Sequence, residues 1–71
     1  MVGSYCRQYR LKHRITLTSI ASDMTHLKAL SAFEHNKSSN LKHIAIYAKL
    51  AKALGDIDNF SEGLIKELGD E

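Results

Sequence analysis

From Leu41 to Leu54 the apolar residues Leu41, Ile44, Ala45, Ala48, Ala51 and Leu54 return at intervals of three and four. That rhythm marks one face of an amphipathic helix. It predicts the longest helix of the chain over 41–54, with Gly55 as its C-cap. The same spacing places Tyr5, Cys6, Tyr9 and Arg10 on one face of a first helix over 3–13. Thr16 is a good N-cap for a second helix, from 17 to 23 or 24, that buries Leu17, Ile20, Ala21 and Met24. Thr25 or His26 then opens a third over 27–35, with Leu30 and Phe33 facing inward. The polar run from Asn36 to Asn40 reads as a loop ending in N-cap candidates. Asp56 or Asp58 caps a fifth helix over 59–68, with Phe60, Leu64, Ile65 and Leu68 as its stripe. Gly63 inside that helix weakens it by about 1 kcal/mol relative to alanine. With no internal repeat, linker or low-complexity tract, 1–71 reads as a single all-α domain of five helices.

Size and composition narrow the picture. A 71-residue chain buries only about 60% of its unfolded surface, so its core is marginal. Little room remains for a small-molecule substrate cavity, and association with a second chain is a natural way to bury more. The absence of proline and the presence of only four glycines favour helices. Cys6 is the one cysteine. It cannot form an internal disulfide, so a reducing cytoplasm is the expected setting, with Cys6 a small, partly buried apolar residue. The first five residues lack an apolar leader core, and no stretch approaches the ~20 apolar residues of a membrane span.

Charge adds an asymmetry that the net value of +2 conceals. Residues 1–52 hold nine Lys and Arg against Asp23 and Glu34, a balance of +7. Residues 53–71 hold Lys66 against six acids, a balance of −5. A basic body with an acidic end suits a domain that presents one face to a polyanion; an ordinary solvated surface is the competing explanation.

One spaced pattern stands out: Tyr9-Arg10, Ile15-Thr16-Leu17, Ile20-Ala21, then Leu30-Ser31-Ala32-Phe33-Glu34-His35-Asn36-Lys37. Over about residues 5 to 55 it resembles the Cro- and repressor-type (Xre-like) helix-turn-helix regulators of temperate phages. The resemblance implies a compact five-helix, lambda-repressor-like DNA-binding domain with the helix-turn-helix at helices 2 and 3. It implies that Arg10 and Glu34 form a structural, partly buried ion pair pinning helix 1 to the end of helix 3. It further implies that Thr16, Leu17 and Thr18 offer backbone N–H groups to a phosphate. Asn36, Lys37, Ser38 and Lys42 would grip the DNA backbone on the far side, while Leu27, Lys28, Ser31 and Ala32 face base edges in the major groove.

The chain departs from the family pattern in three places. Leu17 stands where a glutamine is usual. The interval from Ala21 to Glu34 is one residue shorter than usual. Thr25 and His26 occupy the turn that normally carries glycine. Of the four groove-facing candidates only Lys28 belongs to the residue types that discriminate base edges; Leu27 and Ala32 suit thymine methyls or a protein surface. Two functions therefore compete. One is a small phage-type transcriptional regulator that binds operator DNA in a lysis/lysogeny-type switch, as a weak homodimer. The other is an anti-repressor, a modulator that binds a partner repressor protein and blocks its DNA binding. An antitoxin is a third use of the same fold. Phe60, Leu64 and Ile65 either close the core or, with Leu68, form the dimer interface.

Catalysis and cofactors find no motif. His13, His26, His35 and His43 form no dense ligand cluster and no i, i+4 pair, so no metal is expected. Asp56-Ile57-Asp58-Asn59 resembles the start of a calcium loop, but Phe60 occupies the fifth position and glycine is absent from the sixth. No nucleophile elbow or glycine-rich phosphate loop is present. Tyr5, Tyr9, Phe33 and Tyr47 are expected in the core where helices 1, 3 and 4 meet.

Overall fold

A computed structural model describes residues 2–38 and 41–69, and every regular element among them is helical. The α-helices are α1 (Val2–Lys12), α2 (Leu17–Ile20), α3 (Met24–Glu34), α4 (Ile44–Ala53) and α5 (Ile57–Gly69), with a 3-10 turn at Leu41–His43 leading into α4. Ser39 and Asn40, the N-cap candidates at the end of the polar loop, lie outside the described residues, as does the side chain of Leu41.

Three helices stop by the same device. After α1, the Ile15 N–H donates to the Arg10 carbonyl (3.1 Å) and the Arg14 N–H to that of Leu11 (3.0 Å). After α3, Lys37 donates to Ala32 (2.9 Å) and Asn36 to Phe33 (3.1 Å). After α4, Asp56 donates to Ala51 (2.9 Å) and Gly55 to Lys52 (3.1 Å). These paired bonds are Schellman caps, and each needs one residue in the left-handed region. Gly55 (φ 71°) and Asn36 (φ 60°) tolerate it; Arg14 (φ 58°) adopts it against a Cβ penalty of about 1 kcal/mol.

The α2–α3 segment corrects the sequence reading. α2 covers four residues and does not run on to Asp23 or Met24, because Ala21 turns extended (φ −84°, ψ 140°). Asp23 is the reason. Its carboxylate accepts from the His26 N–H at 2.8 Å, making it the N-cap of α3 in place of Thr25 or His26. The His26 ring reaches back, with Nδ1 accepting from the Ser22 N–H at 2.9 Å. α3 therefore begins at Met24 and gains a turn over the expected start at Leu27. Met24, expected in the core, is 68% exposed. Thr16 precedes α2 in extended conformation but makes no side-chain cap bond; its hydroxyl pairs with that of Thr18 at 3.1 Å.

The core is formed by Val2, Cys6, Tyr9, Leu30, Phe33, Tyr47, Ala51 and Phe60. On α4 the buried face is centred on Tyr47 and Ala51, with Ile44, Ile46 and Ala48 packed beside them. Ala45 and Leu54, assigned to that face by spacing, are exposed. The large ring of Tyr47 sets the phase of the helix, since its hydroxyl finds a buried partner on α3. Phe60 of α5 lies in the middle of the core, edge-on to Tyr9 at 4.8 Å between centroids, so it has no surface to give to a dimer interface. Tyr5 packs beside it and donates to the Phe60 carbonyl at 2.9 Å. Gly63 explains how Tyr5 fits: a Cβ there would collide with the Tyr5 hydroxyl. The residue that weakens α5 by propensity is thus required by packing. The radius of gyration, 11.3 Å, matches the roughly 11 Å expected for a compact chain of this length. Among the described residues no helix is long and apolar enough to cross a membrane.

Candidate functional site

α3 has two unlike faces. The inner one carries Leu30, Phe33 and Glu34, all buried. Glu34 is a carboxylate with 2% exposure, and three donors account for it. Arg10 Nε donates to Oε2 and Nη2 to Oε1, both at 2.9 Å, a bidentate geometry that suits a desolvated pair. The Tyr47 hydroxyl donates to Oε2 at 2.5 Å. The remaining reach of the guanidinium goes to the Ile15 carbonyl, 2.7 Å from Nη1. One buried carboxylate therefore fixes α1, α4 and the approach to α2 against the C-terminal end of α3.

The electrostatics follow from that burial. The hydrogen bond to Glu34 raises the Arg10 pKa, partly opposed by desolvation. Burial first, then the bond to Glu34, pushes the Tyr47 hydroxyl well above the ordinary phenol range. Burial, with the Glu34 charge nearby, pushes the Cys6 thiol up to about 12, so Cys6 behaves as an inert core residue and not a nucleophile.

The outer face of α3 is different. Met24, Leu27, Lys28 and Ser31 recur at helical spacing and form one stripe, with Met24 and Lys28 exposed and Leu27 and Ser31 half-buried. Beside the stripe, where α2 meets α3, an open notch of about 220 Å³ is lined by Thr18, Ala21, Ser22, Asp23, Met24 and Leu27. Ala32 lies a step round the helix and is half-buried. Met24 was missed as a surface residue; reading Asp23 as the helix cap would have found it, because the next residue then begins a helix whose inner face is already filled.

The other predicted contacts are less uniform. Thr16 and Thr18 are exposed, whereas Leu17 packs against the core. α2 is four residues long, so few peptide dipoles add up at its start, where the sequence placed a phosphate contact. Asn36 and Lys37 are exposed at the end of α3. The Asn36 amide, however, donates to the Ser4 hydroxyl at 2.8 Å and so tethers α3 to α1. Ser38 is half-buried and engaged in a polar interaction. Lys42 is exposed in the 3-10 turn. On α5, Leu64 packs against the core, while Ile65 (67%) and Leu68 (45%) are exposed.

Charge divides along the chain. Every Lys and Arg in residues 1–52 except Arg10 is exposed, and with Glu34 buried Asp23 is the one exposed acid there among the described residues. A separate polar clasp joins α1 to the start of α5. Asp56 accepts from the Tyr9 hydroxyl (2.9 Å) and the Asn59 amide (2.7 Å). Those bonds, the Asn59 one first, hold its carboxyl below the usual range. Burial, then the same Asp56 bond, raises Tyr9 to about 12. Among the described residues no three His, Cys, Asp or Glu side chains are placed to hold a metal ion.

No family model matches the chain, and no characterised protein or solved structure is significantly similar to it.

Proposed function

We propose that α2 and α3 act as a helix-turn-helix and that the protein is a small phage-type transcriptional regulator binding duplex DNA at an operator. The observation that carries the reading is the asymmetry of α3. Its inner face is locked by the Arg10–Glu34–Tyr47 network, while its outer stripe is largely solvent-facing on a domain whose exposed charges in residues 1–52 are basic except for Asp23. Three residues, Ala21 to Asp23, separate α2 from α3, the connection length such a motif uses. In this reading α3 enters the major groove, Lys28 meets base edges or phosphate, and Thr16, Thr18, Lys37 and Lys42 contact the backbone. Ile65 and Leu68 supply a small apolar patch for weak self-association on a two-fold operator.

The test is a gel shift with duplex DNA from the protein's own locus at low salt. Binding that is lost in Lys28→Ala combined with Lys37→Ala supports the reading; absence of any shift overturns it. A divergently transcribed repressor gene beside this one would support the role in a genetic switch.

A second reading draws on Met24. An exposed methionine next to an open notch also suits a protein surface, and the same α3 stripe would then cover the DNA-binding face of a partner repressor. Titration against the neighbouring repressor separates the two: tight protein binding with no DNA shift favours the modulator.

A further inference from the structure

α3 begins a turn earlier than the capping pattern of the sequence predicts, and the added turn brings Met24 onto the outer face. The stripe then opens with two apolar side chains, Met24 and Leu27, and contains Lys28 as its one charged reader, followed by Ser31. In the major groove the apolar feature available to such a pair is the C5-methyl of thymine. Methionine is unbranched and polarizable, so it follows a methyl without demanding one geometry. The notch between α2 and α3 gives a methyl lined up beside Met24 somewhere to enter. Charge complementarity favours DNA over a protein as the occupant: within residues 1–52 the exposed charges are basic except for Asp23, and the other exposed acids among the described residues, Asp58 and Glu62, lie on α5.

The geometry points to a site read chiefly through thymine methyl groups, with Met24 and Leu27 as the specificity-determining residues and Lys28 adding a single polar contact. This inference rests on the DNA-binding reading above. It implies an operator half-site rich in thymine at adjacent steps, and discrimination that does not depend on a bidentate Arg or Gln contact.

The experiment uses the full chain and a random 20-bp duplex pool enriched by rounds of binding, then resynthesised with either thymidine or deoxyuridine. Uracil keeps every charge and hydrogen-bonding group of thymine and removes only the methyl. Each methyl buried on binding is worth about fourfold in affinity. The deoxyuridine duplex should therefore bind roughly 15-fold more weakly if Met24 and Leu27 each cover one methyl. Met24→Ala should shrink the thymidine-to-deoxyuridine ratio to about fourfold, whereas Lys37→Ala should weaken both duplexes equally. Equal binding of the two enriched duplexes overturns the inference and leaves the DNA-binding reading standing, as does a Met24→Ala protein that keeps the whole ratio. Failure to retain any duplex at low salt overturns both and turns the Met24 surface into a protein contact.

Discussion

Glu34 and Met24 stand at opposite ends of α3 and in opposite surroundings, at 2% and 68% exposure. At the Glu34 end, helices α1, α3 and α4 converge on one carboxylate, and every donor aimed at it comes from a residue distant in sequence. At the Met24 end, the helix is held by its own cap, through Asp23, His26 and Ser22, and by the short α2. The first end needs the rest of the domain; the second projects from it. A small protein with a marginal core can in this way concentrate its stability in one polar lock and leave the other end of the same helix open for binding.

The contrast breaks most visibly at the lock. Glu34→Ala leaves the Arg10 guanidinium buried without its partner and should cost about 3–5 kcal/mol, enough to leave a domain of this size largely unfolded in a urea titration at 25 °C.

The pH dependence reports the lock, through Cys6 and Tyr47, together with the Tyr9–Asp56 clasp. Cys6 and Tyr9 are raised to about 12 and Tyr47 is raised further. Groups whose folded pKa lies above the unfolded value contribute stability that is complete below the unfolded pKa and lost as pH climbs. The urea midpoint should therefore hold up to about pH 9, the unfolded thiol value, and decline from there towards pH 12. At the acid end Asp56 is depressed below its ordinary 3.8. Its contribution is present above that value and lost as pH falls beneath it.

Arg14 offers a smaller, opposite effect. It holds a left-handed backbone at a helix end where glycine is at ease, so Arg14→Gly should stabilise the protein by about 1 kcal/mol, measured as a rise in the urea midpoint. Met24→Ala gives the smallest change. With its side chain in solvent it should leave stability within about 0.5 kcal/mol, while the DNA affinity of the same variant falls.

Much of this was legible in the sequence because it depended on local pattern. The all-helical class follows from spacing alone, and the C-terminal ends of α1 and α4 fall within a residue of the expected positions, Gly55 marking the latter; α4, however, starts at Ile44 and not Leu41, because 41–43 wind as a 3-10 turn, and α5, not α4, is the longest helix. Errors arose where two good signals competed or where a distant contact decided. Thr25 and Asp23 are both acceptable caps; the acid won, because it satisfies the His26 N–H while His26 answers through Ser22. Tyr47 took the buried face of α4 from Ala45 because Glu34, on another helix, waits for its hydroxyl. Gly63 is a weakness by helix propensity, but Tyr5, distant in sequence, occupies the space where a side chain would stand. Of the candidate site, Lys28 and Lys37 are exposed, Phe60 is buried in the core, and Met24 is a surface residue that periodicity had placed inside.

The central claim is that α3 enters a DNA groove while lysines beside and beyond it, Lys37 among them, meet the phosphate backbone. The direct measurement is the affinity of the intact protein for an operator-length duplex over a range of salt concentrations, followed by fluorescence anisotropy. About four phosphate contacts per protomer should give a log–log slope of roughly −3 to −4, and Lys37→Ala should reduce its magnitude by about 0.9. A slope near zero, or one that Lys37→Ala leaves unchanged, would contradict the account.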